Sequence, residues 1–246
     1  LEIISDPEME KVCDIVVRLL DQLIDYQDYF MPAAENFTKN RRSLGIGITN
    51  FAAYLAKQGV KYDDEEAPNV SDELMEKVQY YLLSSSCNLA EEKGKCPKYH
   101  DTKYSNGWLP IDTYKKEIDE FVTRKHSMDW ESLREKIKLH GLRHSTVSAI
   151  MPCESSSVIQ CSTNGIEPIR SFITYKKSKA RTLPVIVPNY TSYKNKYTLA
   201  YDMQDNSGLI KVVGALQKWV DMSISANMYY NYSHYEKGAL PDSKVI

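Results

Sequence analysis

The segment from Ser148 to Arg170, SAIMPCESSSVIQCSTNGIEPIR, holds the residues best suited to chemistry. An apolar, β-prone run of Val147, Ala149, Ile150 and Met151 stops at Pro152, and Glu154, Ser155, Ser156 and Ser157 then supply helix-starting side chains ahead of Val158 and Ile159. A strand that turns into a helix start presents free backbone N–H groups beyond the strand end, and the helix dipole favours an anion there. Phosphate is the ligand class this pattern suits. The plainer reading is an ordinary capped turn, because the glycines of a Walker or dinucleotide loop are missing. Cys153 lies at the same helix start, where a thiolate would be favoured. A cysteine nucleophile with a histidine base is therefore an alternative chemistry, although no cysteine-hydrolase signature surrounds it.

The elements that must position this segment are legible from caps and periodicity. Asp6-Pro7-Glu8 starts a helix in which Met9, Val12, Val16, Leu20, Leu23 and Ile24 recur at helical spacing, running to about Tyr29. A second helix is predicted over Leu44 to Lys57, stopped by Gly59, and a third from Ser71 to Gly94. Pro97 to Pro110 reads as a loop, and Asp129-Trp130-Glu131 opens a helix that Gly141 ends. Ser145 to Met151, Ser171 to Lys176, Leu183 to Val187 and Ser223 to Met228 have the length and β-branched content of strands, with a helix over Ile210 to Val220. A helix-rich first half followed by helices alternating with short strands implies an α/β fold with a parallel sheet or barrel. Its ligand sites would lie at the carboxyl ends of strands. No internal repeat or linker divides the chain, which reads as part of one domain.

A chain of 246 residues with a formal charge of −2 gives no electrostatic reason to bind nucleic acid or a membrane surface. The local basic cluster of Lys176, Lys177, Lys179 and Arg181 reads as a solvated hairpin. No apolar run approaches the roughly 20 residues of a membrane span and no signal peptide is present, which predicts a cytoplasmic protein. The five cysteines (Cys13, Cys87, Cys96, Cys153, Cys161) contain no C-x-x-C pair and read as reduced thiols. Gly141 breaks the helical spacing of His140 and His144, so no metal site is expected. Arg41-Arg42 reads as a solvated basic pair, Gly45-x-Gly47 as glycines permitting close packing of a helix start, and Asn164-Gly165 as a turn. Glu167 receives no role, and Asn227 is a candidate wall residue at a strand end. The start at Leu1 without methionine and the end at Ile246 look cut, as in one segment of a longer or split polypeptide or a trimmed expression product.

Several segments resemble the large, catalytic subunit of class I ribonucleotide reductase, in the versions of T-even-type bacteriophages and enteric bacteria. They are Asp25-Tyr26-Gln27-Asp28-Tyr29, Arg41 to Phe51, Tyr54 to Lys57, Leu109 to Lys116, His140 to Arg143, Thr163 to Pro168, and Lys218 to Asn227. They follow the family's order along essentially the whole chain. The resemblance implies the later part of a ten-stranded α/β barrel, with residues 1–246 forming a partial catalytic barrel domain. It also implies that Pro152, Cys153, Glu154, Ser155 and Ser156 hold the diphosphate of a ribonucleoside diphosphate. Cys153 replaces a typical serine there and Ser155 a typical threonine.

The family's Asn-x-Cys-x-Glu thiyl segment, its redox cysteine pairs, its radical-carrying tyrosine pair and its ATP cone do not occur in this sequence, and Tyr229-Tyr230 falls too early to be that tyrosine pair. The resemblance therefore implies an isolated chain that is inactive and binds no cofactor. Its partners would be the remaining large-subunit segments, a metal-containing small subunit that supplies a radical, and thioredoxin or glutaredoxin for electrons. The location would be the host cytoplasm if phage-encoded. A non-catalytic interaction fragment is the remaining alternative, in which helical faces such as Met9 to Ile24 expose apolar surface for a partner.

Overall fold

The structure is a computed structural model that describes residues 5–177 and 182–234. The ends at Leu1 and Ile246, and Lys179 and Arg181 of the basic cluster, lie outside the described residues. The first helix, α1 (Asp6–Tyr26), follows the expected start: the Ser5 N–H donates to the Glu8 carboxylate at 2.9 Å. It buries Met9, Cys13, Val17, Asp21 and Ile24 and turns Val12, Ile15, Leu19 and Leu23 outward, so its apolar residues occupy two faces. A helix the sequence reading did not anticipate, α2 (Pro32–Arg41), starts with proline in its first turn and stops where Arg42 adopts a left-handed conformation (φ 48°).

The predicted helix over 44–57 splits in two. Only α3 (Phe51–Gln58) is helical, ending at a left-handed Gly59. Residues 44–49 are non-helical instead, and Asn50 is left-handed (φ 68°), because Gly45, Gly47, Ile46, Ile48 and Thr49 disfavour a helix and a neighbouring segment offers hydrogen bonds. Leu44 N donates to Thr146 O (2.9 Å), Ile46 N to Val147 O (3.0 Å) and Ala149 N to Ile46 O (3.1 Å), with a parallel bridge between Ile46 and Ser148. The two glycines do permit close packing, but against Ala149 and Met151 of this segment rather than at a helix start.

The long central helix, α4 (Ala67–Lys93), is buried on several sides, with α1, α6 (Trp130–His140) and α9 (Ser207–Gln217) packed around it. A short α5 (Pro110–Thr113) and 3-10 turns fill the predicted loop between α4 and α6. Two buried ionic hubs tie these elements together. Asp21 is fully buried and meets Arg42 (2.6 Å), Arg143 (3.2 Å), Lys93 (3.2 Å) and His144 (3.3 Å). Burial alone would raise the Asp21 carboxyl, but hydrogen bonds from His144 and Arg42 and the charges of Arg42 and Arg143 hold it well below the usual range. Arg42 is thus a core residue rather than a solvated one, because the left-handed turn after α2 points it between Asp21 and Asp25. The second hub sits on α4. Asp72 accepts from Trp219 Nε1 (2.8 Å) and pairs with Lys218 (3.0 Å). Glu76 accepts from Trp130 Nε1 (3.0 Å), Arg124 spans both carboxylates, and the two indoles stack at 5.2 Å.

Strand content is lower than the sequence implies. Residues 145–151 are extended but bridge only at Ser148, and a second parallel bridge joins Ile169 to Leu199. β1 (Ile173–Lys177) and β2 (Thr182–Ile186) pair with each other antiparallel, as a solvated two-stranded ribbon. Residues 223–228 form no strand. Near their start the Gln217 side chain accepts from Ile224 N (2.7 Å) and donates to Met222 O (3.1 Å). The remaining short helices are α7 (Glu154–Ile159) and α8 (Tyr190–Tyr193).

Candidate functional site

The 145–151 segment is clamped before it reaches Pro152. The buried Asp221 carboxylate accepts Val147 N (2.8 Å) and Ser148 N (3.3 Å), and is itself met by Lys103 (3.3 Å) and the Tyr104 hydroxyl. Asp221 N donates back to Ser148 Oγ at 3.0 Å. Beyond the clamp the chain turns at Pro152 and Cys153 into α7, whose first turn lies where the sequence predicts a helix start. Cys153 N is fixed by the Asn164 side chain (3.2 Å), and Ser157 N and Oγ bond back to Cys153 O (2.8 and 2.7 Å). The N–H groups of Glu154, Ser155 and Ser156 are those that a helix leaves without an internal partner.

A cavity of about 380 Å³ opens beside this turn. Pro152, Glu154 and Ser157 form one wall, Thr163, Asn164, Glu167 and Arg170 a second, β1 and β2 a third, and Asn227 one corner. Thr163 is held by Asn50, whose Oδ1 accepts Thr163 N at 3.0 Å, so the end of the 44–50 segment also shapes the site. Asn164-Gly165 makes the predicted turn, with Gly165 at φ 46°. Of the five residues named from sequence, Pro152 and Glu154 line the cavity, while Cys153, Ser155 and Ser156 belong to the turn beside it.

Of the charged groups of the cavity, Glu154 is named from sequence, whereas Glu167, Arg170 and Lys176 have no role assigned there. Glu167 accepts from Asn227 Nδ2 and from the Tyr229 hydroxyl (2.9 Å), and Asn206 holds the Tyr229 backbone through both its side-chain atoms (2.9 and 3.1 Å). Burial and the Glu167 contact push the Tyr229 hydroxyl up to about 12, so it stays a donor. A hydrogen bond to Tyr229 raises Arg170 further. Across the cavity, Lys176 of β1 pairs with Glu154, and that ammonium holds the Glu154 carboxyl below its usual range. Glu154, Glu167, Arg170 and Lys176 are close in sequence, but Asn206, Asn227 and Tyr229 join them from a distant part of the chain.

Cys153 is not an activated nucleophile. Its thiol donates to Met151 O at 3.1 Å, and burial pushes it up, the opposite of a reactive thiolate. His144, with its spacing to His140 broken, is buried in the Asp21 hub, and among the described residues no group of three or more His, Cys, Asp or Glu side chains is arranged to hold a metal ion. No helix among the described residues is long and apolar enough to cross a membrane.

A family model for the ribonucleotide reductase barrel domain matches residues 2–240. The chain belongs to this family. It is similar to ribonucleoside-diphosphate reductase 1 subunit alpha of Escherichia coli, 48% identical over 223 residues, which is 91% of this chain and 29% of that protein. The corresponding subunit of Salmonella typhimurium matches equally, at 48% over 223 residues. Ribonucleoside-diphosphate reductase subunit alpha of Enterobacteria phage T4 is 43% identical over 241 residues, 97% of this chain and 32% of its own length. The ribonucleotide reductase chain described here therefore spans about 30% of the length of the curated relatives it matches.

Proposed function

We propose that this chain is the later part of the ten-stranded catalytic barrel of a class I ribonucleoside-diphosphate reductase large subunit, residues 1–246 forming a partial domain, and that Pro152 to Ser156 hold the substrate's diphosphate. The observation that carries this reading is the meeting of the α7 first turn with the cavity of about 380 Å³ at the end of the 145–151 segment, a size in the range of small-molecule sites. The contributions along the turn differ. Pro152 sets the chain direction, the backbone of Cys153 anchors the turn to Asn164, and the amides of Glu154, Ser155 and Ser156 face the anion. Replacement of serine by Cys153 is tolerated, since its thiol is turned to Met151 O and the amides supply the donors.

On this reading the chain binds no cofactor and is inactive alone. A metal-containing small subunit supplies the radical, thioredoxin or glutaredoxin supplies electrons, and other large-subunit segments supply the radical-bearing cysteine. It works in the cytoplasm, in the host's if phage-encoded. The test is reduction of a labelled ribonucleoside diphosphate by this chain mixed with the upstream segment, the downstream tail and the small subunit. Turnover only in the full mixture supports the proposal, and a stable complex without turnover refutes it. That second outcome would fit an interaction fragment, a reading favoured by the outward Val12, Ile15, Leu19 and Leu23 of α1, each at least 47% exposed.

A further inference from the structure

We propose that Lys176 is the side chain that supplies positive charge to the substrate's diphosphate, and that Glu154 serves as its holder at the cavity edge; the inference rests on the diphosphate reading above. The cavity is lined by two carboxylates and two cations: Glu154, Glu167, Arg170 and Lys176. These charges cancel, whereas a nucleoside diphosphate brings two or three negative charges that partial charges on backbone amides cannot balance. One cation must therefore change partner. Arg170 lies on the inner side, where the Tyr229 hydroxyl that donates to Glu167 and the charge of Glu167 favour its cation, within a group anchored by Asn206 and Asn227. Lys176 is engaged on the outer side, where its pair with Glu154 leaves the two side chains 38% and 68% exposed. Ion pairs so exposed are weak and readily exchanged.

Strand alternation puts Thr174 on the same face of β1 as Lys176, and both line the cavity. The pairing also explains Glu154. A carboxylate at the entry of a phosphate turn would repel the ligand, but this one points to Lys176 and leaves its backbone N–H to the anion. When the diphosphate enters, the Lys176 ammonium moves from the carboxylate to a phosphate oxygen, with no bond made or broken covalently.

The test uses the assembled large subunit with its small subunit and a ribonucleoside diphosphate, measuring KM and kcat separately. Lys176→Gln should raise KM by about tenfold or more, the scale of a lost hydrogen bond to a charged group, with kcat within about twofold. Lys176→Arg should restore most of the affinity, and Glu154→Gln, which keeps the N–H but removes the carboxylate that competes for the ammonium, should lower KM. Glu154→Pro is the control for the turn, because proline suits the first helical position yet removes one amide donor. If Lys176→Gln leaves KM unchanged while Glu154→Pro raises it, the role of Lys176 is overturned and the diphosphate turn stands. If neither raises KM, the diphosphate reading itself fails. A fall in kcat with unchanged KM in Lys176→Gln overturns the proposal as well.

Discussion

Gly47→Ala is the substitution whose effect can be worked furthest from geometry. A β-carbon at Gly47 would lie 2.4 Å from the Ala149 carbonyl oxygen and 3.3 Å from Met151 Sδ. A carbon and a carbonyl oxygen approach no closer than roughly 3.3 Å, so the two extended segments must separate by roughly 0.9 Å. The bonds Ile46 N to Val147 O (3.0 Å) and Ala149 N to Ile46 O (3.1 Å) would then stretch towards 4 Å and be lost. Overpacking against backbone together with these bonds costs about 2–4 kcal/mol. For a chain of this size that lowers Tm by roughly 5–15 °C. Met151 and Pro152 sit at the end of the displaced segment, so nucleoside diphosphate affinity of the assembled subunit should fall by about tenfold or more. Gly45→Ala is the internal control, since its β-carbon would meet the Ala149 β-carbon at 3.3 Å, a contact that relaxes by a few tenths of an ångström, and Met151 Cε at an ordinary 3.8 Å. Differential scanning calorimetry and nucleotide titration of both variants decide the matter. Equal Tm shifts for the two, or an unshifted Gly47→Ala, would refute the reasoning.

The Asp21 hub should make the fold acid-sensitive. Burial lowers His144 below its ordinary value, so the stability it contributes is full above an unfolded value of about 6.5 and declines as pH falls, and the depressed Asp21 adds a second loss below about 3.9. Urea midpoints measured from pH 8 to pH 3 should fall in those two windows, and a flat profile between pH 7 and pH 5 would contradict the His144 assignment. Asp21→Asn, which leaves Arg42, Arg143 and Lys93 facing a neutral amide, should cost about 3–5 kcal/mol by urea unfolding at pH 7. Lys218→Met, which deprives the buried Asp72 of one of its two cations, should cost roughly 2–4 kcal/mol and alter tryptophan fluorescence through the adjacent Trp219; unchanged stability would show the pair to be dispensable. Iodoacetamide at pH 7.5 should modify exposed Cys161 before Cys153. It should spare Cys87 and Cys13, whose burial raises them to about 11 and about 12, and peptide mass spectrometry reads the order directly.

What the sequence made legible follows from how local the cause is. The starts of α1, α6 and α7 are local, written in Asp6-Pro7-Glu8, in Asp129 and in the residues after Pro152, and the structure places helices there. The reading of 44–57 as helix failed because its first half is decided by a partner segment a hundred positions away, which competes for the same backbone groups. The same limit hid Arg42, whose adjacent basic neighbour made it look solvated while its acidic partners lie a turn apart on α1. In the cavity, the turn from Pro152 to Ser156 was readable as a motif. Asn227 was also named as a wall residue and lines the cavity, but the roles of Glu167, Arg170 and Lys176 were not readable, since their meeting depends on the antiparallel ribbon and on the Asn206 anchor. The strand pattern of 223–228 misled because no neighbouring strand lies alongside it among the described residues, and Ile224 N is bound by the Gln217 side chain instead.

The pairing of the 43–47 and 145–149 segments has a bearing on how the molecule comes into being. Ser43 and Ser145 touch across 102 positions of chain, and α3, α4, α5 and α6 are threaded between them. Closing so large a loop is entropically costly until the intervening helices have condensed. On a ribosome, the helices α1 and α4 can dock as soon as both have emerged, but the turn at Pro152 has nothing to lean on until the 145–149 segment finds its partner. The cavity beside α7 is therefore among the last parts of this chain to mature, and a folding intermediate with native helix content but without the pairing of the 43–47 and 145–149 segments is the species to look for in refolding kinetics.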